Sequence, residues 1–269
     1  DRVQFLKGYI QDLALDVEAM DAFLIANPIQ SNASLQQFEQ WKSRQRSERP
    51  LVASDSIDLV VSNAGYVTVG GLEAPDDELR RMFDVHVMAH LYAARHAIPH
   101  MAAAGSGYLL NTSSAAGLLT QIGSLHYSVT KNAAVSLAEW ISITYGHLGI
   151  GVSVLCPQAV ETNIRANSPT AGMLPADGSS NAAAVDGVLT AAELADVVIE
   201  GLADERFHIL PHPDVAEYVR RKGDDVDRWL GGMRRFQDRL FPGSQAGNIQ
   251  TDGVFLPPLV SLACLLEDQ

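Results

Sequence analysis

Residues Tyr108 to Thr162 read YLLNTSSAAGLLTQIGSLHYSVTKNAAVSLAEWISITYGHLGIGVSVLCPQAVET. An apolar run ends in Thr112-Ser113-Ser114, a glycine-containing loop follows, and an amphipathic helix opens at Tyr127. A second apolar run, Gly151 to Cys156, stops at Pro157. Strand, loop, helix, strand is the pattern of a parallel α/β unit.

Tyr127 and Lys131 are four residues apart, which puts them about one turn apart on a single helix face. An ammonium beside a phenol favours the phenolate, so Lys131 is expected to lower the tyrosine pKa from its usual value of about 10. Ser114 falls at the carboxyl end of the preceding strand, where open parallel sheets bind ligands, and its hydroxyl can donate to the same substrate oxygen. Strand-Ser-Ser, thirteen residues from Ser114 to Tyr127, four more to Lys131, and a strand ending in Cys156-Pro157 together resemble the short-chain dehydrogenase/reductase family. The resemblance covers roughly Gln11 to Leu240 and is most specific from Asn63 to Thr162. It implies a Rossmann-like parallel α/β sheet with helices on both faces, and Ser114, Tyr127 and Lys131 as catalytic residues.

Ile57 to Val61 is a fully apolar strand followed by Ser62-Asn63-Ala64-Gly65. By resemblance, Asn63 stabilises the central sheet and Gly65 lies beside the cofactor. Pro75 to Ala104 is predicted as one long helix, with Asp76, Asp77 and Glu78 at its start and Gly105 as its stop. His86 holds the position of the family's asparagine in a proton relay. Imidazole can donate and accept there as well, so His86 joins the catalytic candidates. Thr162 matches the threonine that bonds the nicotinamide carboxamide, and Gln158 stands where a glycine would let that ring approach the backbone. Gln158, Ala64 and Leu125 are expected in the substrate pocket. Asn163 to Val188 reads as a mobile substrate lid, Thr190 as the N-cap of a helix to Asp204, and Arg206 to Leu210 as a last strand. A charged helical segment follows from Asp214 to Leu240, then an apolar tail.

Upstream, Tyr9 to Val17 resembles the family's third strand, which would make Asp16 a contact of the adenine ring. The only glycine before Asn63 is Gly8, so the expected sheet lacks the first strands of the usual fold and the glycine turn that holds a pyrophosphate. The organisation expected is one domain over residues 1–269, with 27–56 as an insertion or linker, 163–188 as the lid and 241–269 as the tail.

The chain carries 19 basic and 32 acidic residues, a net charge of −13, which argues against nucleic-acid or anionic-membrane surfaces. Cys156 and Cys264, in apolar surroundings, read as buried free thiols, and no His/Cys cluster has metal-ligand spacing. Free thiols in place of a disulfide make a cytoplasmic protein the expectation, and no apolar run approaches the length of a membrane span.

Three departures, the missing glycine turn, Gln158 and His86, all lie along the cofactor and not at the proton-donating pair. They favour a reductase-like enzyme that uses no cofactor: Tyr127 and Ser114 would activate a carbonyl of a small organic substrate for cyclisation, addition or isomerisation, in specialised-metabolite biosynthesis. The alternative is an NAD(P)-dependent oxidoreductase of alcohols and carbonyls. A degenerate partner subunit is a third class, disfavoured by the intact Ser114/Tyr127/Lys131 set. By resemblance, the chain is expected to form a homodimer or homotetramer through helices 76–104 and 127–146, with Tyr92, His96, Val135, Leu137 and Trp140 at the contact.

Overall fold

The computed structural model describes residues 57–164, 168–169 and 184–240. The expected strand at Tyr9 to Val17, the insertion at 27–56, most of the lid and the tail at 241–269 lie outside them. Contacts divide the chain at Val226 into two compact units.

The first unit is built on four parallel strands in the order β1 (Leu59–Ser62), β2 (Gly107–Thr112), β3 (Ile150–Leu155), β4 (His208–Ile209). Leu59 pairs with Tyr108, Leu110 with Ser153, and Leu155 with Ile209. The nearly unbroken apolar runs of β1 and β3 are what a parallel sheet covered on both faces requires. On one face Leu109, Val152 and Val154 pack with Ala94, Ile98, Met101, Ala138 and Ile141. On the other, Leu110, Leu155 and Ile209 pack with Val198. This is the Rossmann-like arrangement the sequence predicts.

The first helical path is α1 (Asp76–Phe83), a π-helical turn (Asp84–Met88) and α2 (Ala89–Ala104). Its acidic first turn faces the positive end of the helix dipole, and Gly105 ends it in the left-handed conformation, φ 74°. The π turn is the departure from the single helix expected. After β2, the predicted loop contains a short helix, α3 (Ala115–Leu119). Helix α4 (Leu125–Tyr145) begins two residues before Tyr127. Helix α5 (Ala191–Ala203) opens on the predicted Thr190, in a full capping box with Glu193. The charged segment after β4 forms α6 (Asp214–Asp224) and α7 (Val226–Leu240), interrupted by the extended backbone of Asp225. Helix α7 belongs almost wholly to the second unit.

Val135, expected on an exposed face, is instead in the core, because it shares the inner side of α4 with Ala138 and Ile141. Trp140 and Ile143 are the most exposed large apolar residues of that helix, with Val129 and Leu125 also at the surface. Cys156 is a free thiol with no exposed surface, and burial pushes its pKa up to about 12. No helix among the described residues is long and apolar enough to cross a membrane, and no group of side chains among them has a metal-binding arrangement.

Candidate active site

Ser114, Tyr127 and Lys131 come together at the carboxyl ends of β2 and β3, as their spacing predicts. Ser114 is the N-cap of α3: its Oγ accepts from the Ala116 amide at 3.1 Å and donates to the Pro157 carbonyl at 3.3 Å. That cap fixes the hydroxyl beside the phenol of Tyr127. The two helices approach so closely because Gly117 has no side chain; a Cβ there would lie 2.6 Å from the Lys131 carbonyl oxygen.

Tyr127 is buried, and burial raises its pKa above the ordinary value, with the hydrogen bond to Ser114 pulling the other way. This corrects the expected downward shift. The Lys131 ammonium sits over the ring, 5.6 Å from its centroid, and removal from water outweighs whatever it does for the phenolate. Lys131 itself is 2% exposed, its pKa pushed down to about 8 by burial. It donates to the Thr112 carbonyl at 3.0 Å, which accounts for one of its three hydrogens.

Below Lys131 lies the turn after β1. Asn63 Oδ1 accepts from the Thr112 hydroxyl at 2.8 Å, Ala64 is buried, and a Cβ on Gly65 would stand 3.3 Å from Lys131 Nζ and 3.2 Å from His86 Nε2. A side chain there would be tight against both, and one of them would have to give by a few tenths of an ångström. His86, at the middle of the π turn, is fully buried, with its ring between Tyr66 (centroids 5.7 Å apart) and Tyr127 (5.6 Å, edge-on). One turn along, His90 is equally hidden. Neither of its ring nitrogens has a hydrogen-bond partner among the described residues, and burial together with Lys131 pushes its pKa down to about 3.

Gln158 is bonded through both its side chain and its backbone. Its Nε2 donates to Asp186 at 2.9 Å, the other carboxylate oxygen accepts from the Tyr218 hydroxyl at 3.0 Å, and its backbone amide donates to His212 Nδ1 at 3.2 Å. The side chain is thereby tied to Asp186, in the segment before α5. Leu125 is the partly exposed first residue of α4. Thr162 lies beyond β3, where its hydroxyl accepts from the Ile164 amide at 3.4 Å. Asp16 is outside the described residues.

Sequence reasoning missed Thr130, Tyr66, His90 and Asp186. Thr130 and His90 were within reach of it, because they lie three and four residues from Tyr127 and His86 on the same helices. Nothing in the spacing pairs Gln158 with a carboxylate twenty-eight residues away.

The family description "short chain dehydrogenase" matches residues 32–171, just over half of the chain. The chain is 30% identical over 191 residues to the 1-deoxy-11-beta-hydroxypentalenate dehydrogenase of Streptomyces avermitilis, covering 69% of this chain and 67% of that one. It is 32% identical over 142 residues to the cis-4-hydroxycyclohexanecarboxylate dehydrogenase of Sinomonas cyclohexanicum, covering 51% and 53%. Thus it spans between about half and two thirds of the length of these relatives. Among solved structures, a short chain dehydrogenase/reductase from Burkholderia phymatum in complex with NAD superimposes with a TM-score of 0.59 at 27% identity, covering 68% of this chain and 71% of that one. These matches overturn the expectation of a reaction without a cofactor: the relatives are dehydrogenases by name, and the Burkholderia protein holds NAD. With the match running through the strand, the serine pair, the tyrosine helix and the strand beyond it, this chain belongs to the short-chain dehydrogenase family.

Proposed function

We propose that this chain is a nicotinamide-dependent oxidoreductase that interconverts an alcohol and a carbonyl on a small organic substrate. The observation that carries the reading is the convergence of Ser114, Tyr127 and Lys131 on the carboxyl end of the sheet. The dehydrogenase names of its relatives support it. The other reading is a non-redox cyclisation on the same residues. No feature of the site favours that second reading.

The residues present suit the nicotinamide end of a dinucleotide. Lys131 has donors left over for a ribose hydroxyl, Gly65 and Asn63 form the turn beside it, and Thr162 follows β3. The pyrophosphate end would fall to residues 1–56, outside the described residues, where the sequence has no glycine turn. Bound nicotinamide would supply or take up hydride. The chain's own part is proton handling. Tyr127, with its raised pKa, is a phenol at neutral pH and gives its proton to the substrate oxygen; Ser114 orients that oxygen; Lys131 fixes the tyrosine ring from one face. In the oxidative direction the same groups take the proton back.

The test is a titration with NADH and NADPH followed by melting temperature, together with absorbance of the reduced nicotinamide over a panel of secondary alcohols. Stabilisation by either cofactor is expected, since ligand at 100 times its Kd adds about 2.7 kcal/mol. Turnover should fall by about 10² to 10⁴ in Tyr127→Phe with the melting temperature of the free protein kept. No shift with either cofactor and no turnover would overturn the reading. We also assign the two most exposed large apolar residues of α4, Trp140 and Ile143, to a contact between copies of the chain.

A further inference from the structure

We propose that His86 is a positioning residue, an imidazole held in a single tautomer that clamps the turn at residues 63–66 to the tyrosine helix, and not a carrier of protons. This rests on the oxidoreductase reading only for what the clamp serves. The Thr130 hydroxyl has one hydrogen, and that hydrogen faces the carbonyls of His126 at 2.9 Å and Tyr127 at 3.2 Å. What Thr130 Oγ1 offers His86 Nδ1, 2.9 Å away, is therefore a lone pair, so Nδ1 must carry the ring hydrogen. In that neutral tautomer Nε2 has the lone pair, and it accepts the backbone amide of Tyr66 at 3.2 Å. Both nitrogens are occupied.

A second ring proton would have to enter at Nε2, where it would meet the Tyr66 amide donor head on. Passing a proton through the ring thus requires breaking one of two buried hydrogen bonds. The charged and titratable groups facing the ring are Lys131 and His90, with the hydroxyls of Tyr66 and Tyr127 beyond; burial, Lys131 and His90 all hold its pKa well below the ordinary value. The geometry in turn shows what the ring accomplishes. It joins two pieces of chain to its own at one point: the turn after β1 through Tyr66, and α4 through both Thr130 and the ring edge of Tyr127. The bare Cα of Gly65 accommodates it, and the π turn carries it.

The direct test needs neither substrate nor cofactor, so its outcome is separate from that of the oxidoreductase reading. In protein labelled with ¹⁵N-histidine, the His86 ring signals, assigned by their loss in His86→Gln, are expected to show the Nδ1–H tautomer and no titration from pH 5 to 9. An Nε2–H tautomer, or a titration in that range, would overturn the clamp. Kinetics supply the second arm. Glutamine can accept from Tyr66 and donate to Thr130 but cannot relay a proton as imidazole does, whereas leucine does neither. His86→Leu is expected to lower kcat/KM by ~10- to 100-fold through misplacement of the turn. His86→Gln should recover at least ~10-fold of that loss, mainly in the KM for the dinucleotide. A glutamine variant that folds but is as impaired as the leucine one would refute the proposal.

Discussion

Lys131 is an ammonium with 2% of its surface exposed, and its burial has a thermodynamic signature. Its folded pKa of about 8 lies below the ordinary 10.5, so the unfolded chain holds the proton more firmly. The resulting cost, about 3 kcal/mol, is complete below pH 8 and is relieved as pH rises from there toward 10.5. Lys131→Met should therefore be more stable than the parent at pH 7 by an amount of this order, less about 1 kcal/mol for the lost bond to Thr112. Its advantage should shrink by pH 10 while turnover is lost, with urea midpoints at the two pH values as the measure. A variant no more stable at pH 7 would contradict the burial cost. The neighbouring His90, whose ring nitrogens lack partners among the described residues, leads to a similar expectation: His90→Leu should gain about 1 kcal/mol of stability. The sequence exposes Ser114, Tyr127 and Lys131 because their spacing is local. It hides what burial does to them, since the sign of the tyrosine shift depends on how completely water is excluded from the ring.

The short helix α3 governs where Ser114 points, and its contact with α4 rests on Gly117. A methyl group there would meet the Lys131 carbonyl at 2.6 Å and Ser113 Oγ at 2.7 Å, all on relatively immovable atoms. Gly117→Ala should cost about 1–3 kcal/mol and lower kcat, whereas Gly146→Ala, with nothing within 4 Å, should do neither. Thermal melts and initial rates on the two variants distinguish a specific contact from a general intolerance of added bulk. Removing the Thr190 cap by alanine should cost about 1 kcal/mol in a denaturant titration, without effect on the tyrosine site. Caps and stops such as Thr190 and Gly105 are legible in the sequence because they depend on side chains within four residues. The π turn around His86 is not, since one added residue in a turn leaves the apolar pattern on either side nearly intact. The Gln158 tie to Asp186 is equally hidden, being a contact between two loops.

For the molecule as a whole, 47% apolar composition and alternation of apolar strands with helices were enough to indicate a parallel sheet covered on both sides. They did not distinguish inward from outward on α4, where Val135 is in the core and Ile143 is 83% exposed. If Trp140 and Ile143 join copies of the chain, sedimentation will show a dimer or larger species, and Trp140→Glu with Ile143→Glu will reduce it. At a net charge of −13 the association should strengthen with added salt. A monomeric parent at micromolar concentration would remove that contact. The fully enclosed Cys156, its thiol pushed up to about 12, has one more consequence. An alkylating reagent can reach this sulfur only when the strands on either side of it separate. In a Cys264→Ser background, with reagent concentrated enough to outpace reclosing, the rate of its modification becomes a clock built into the chain, marking how often those strands part.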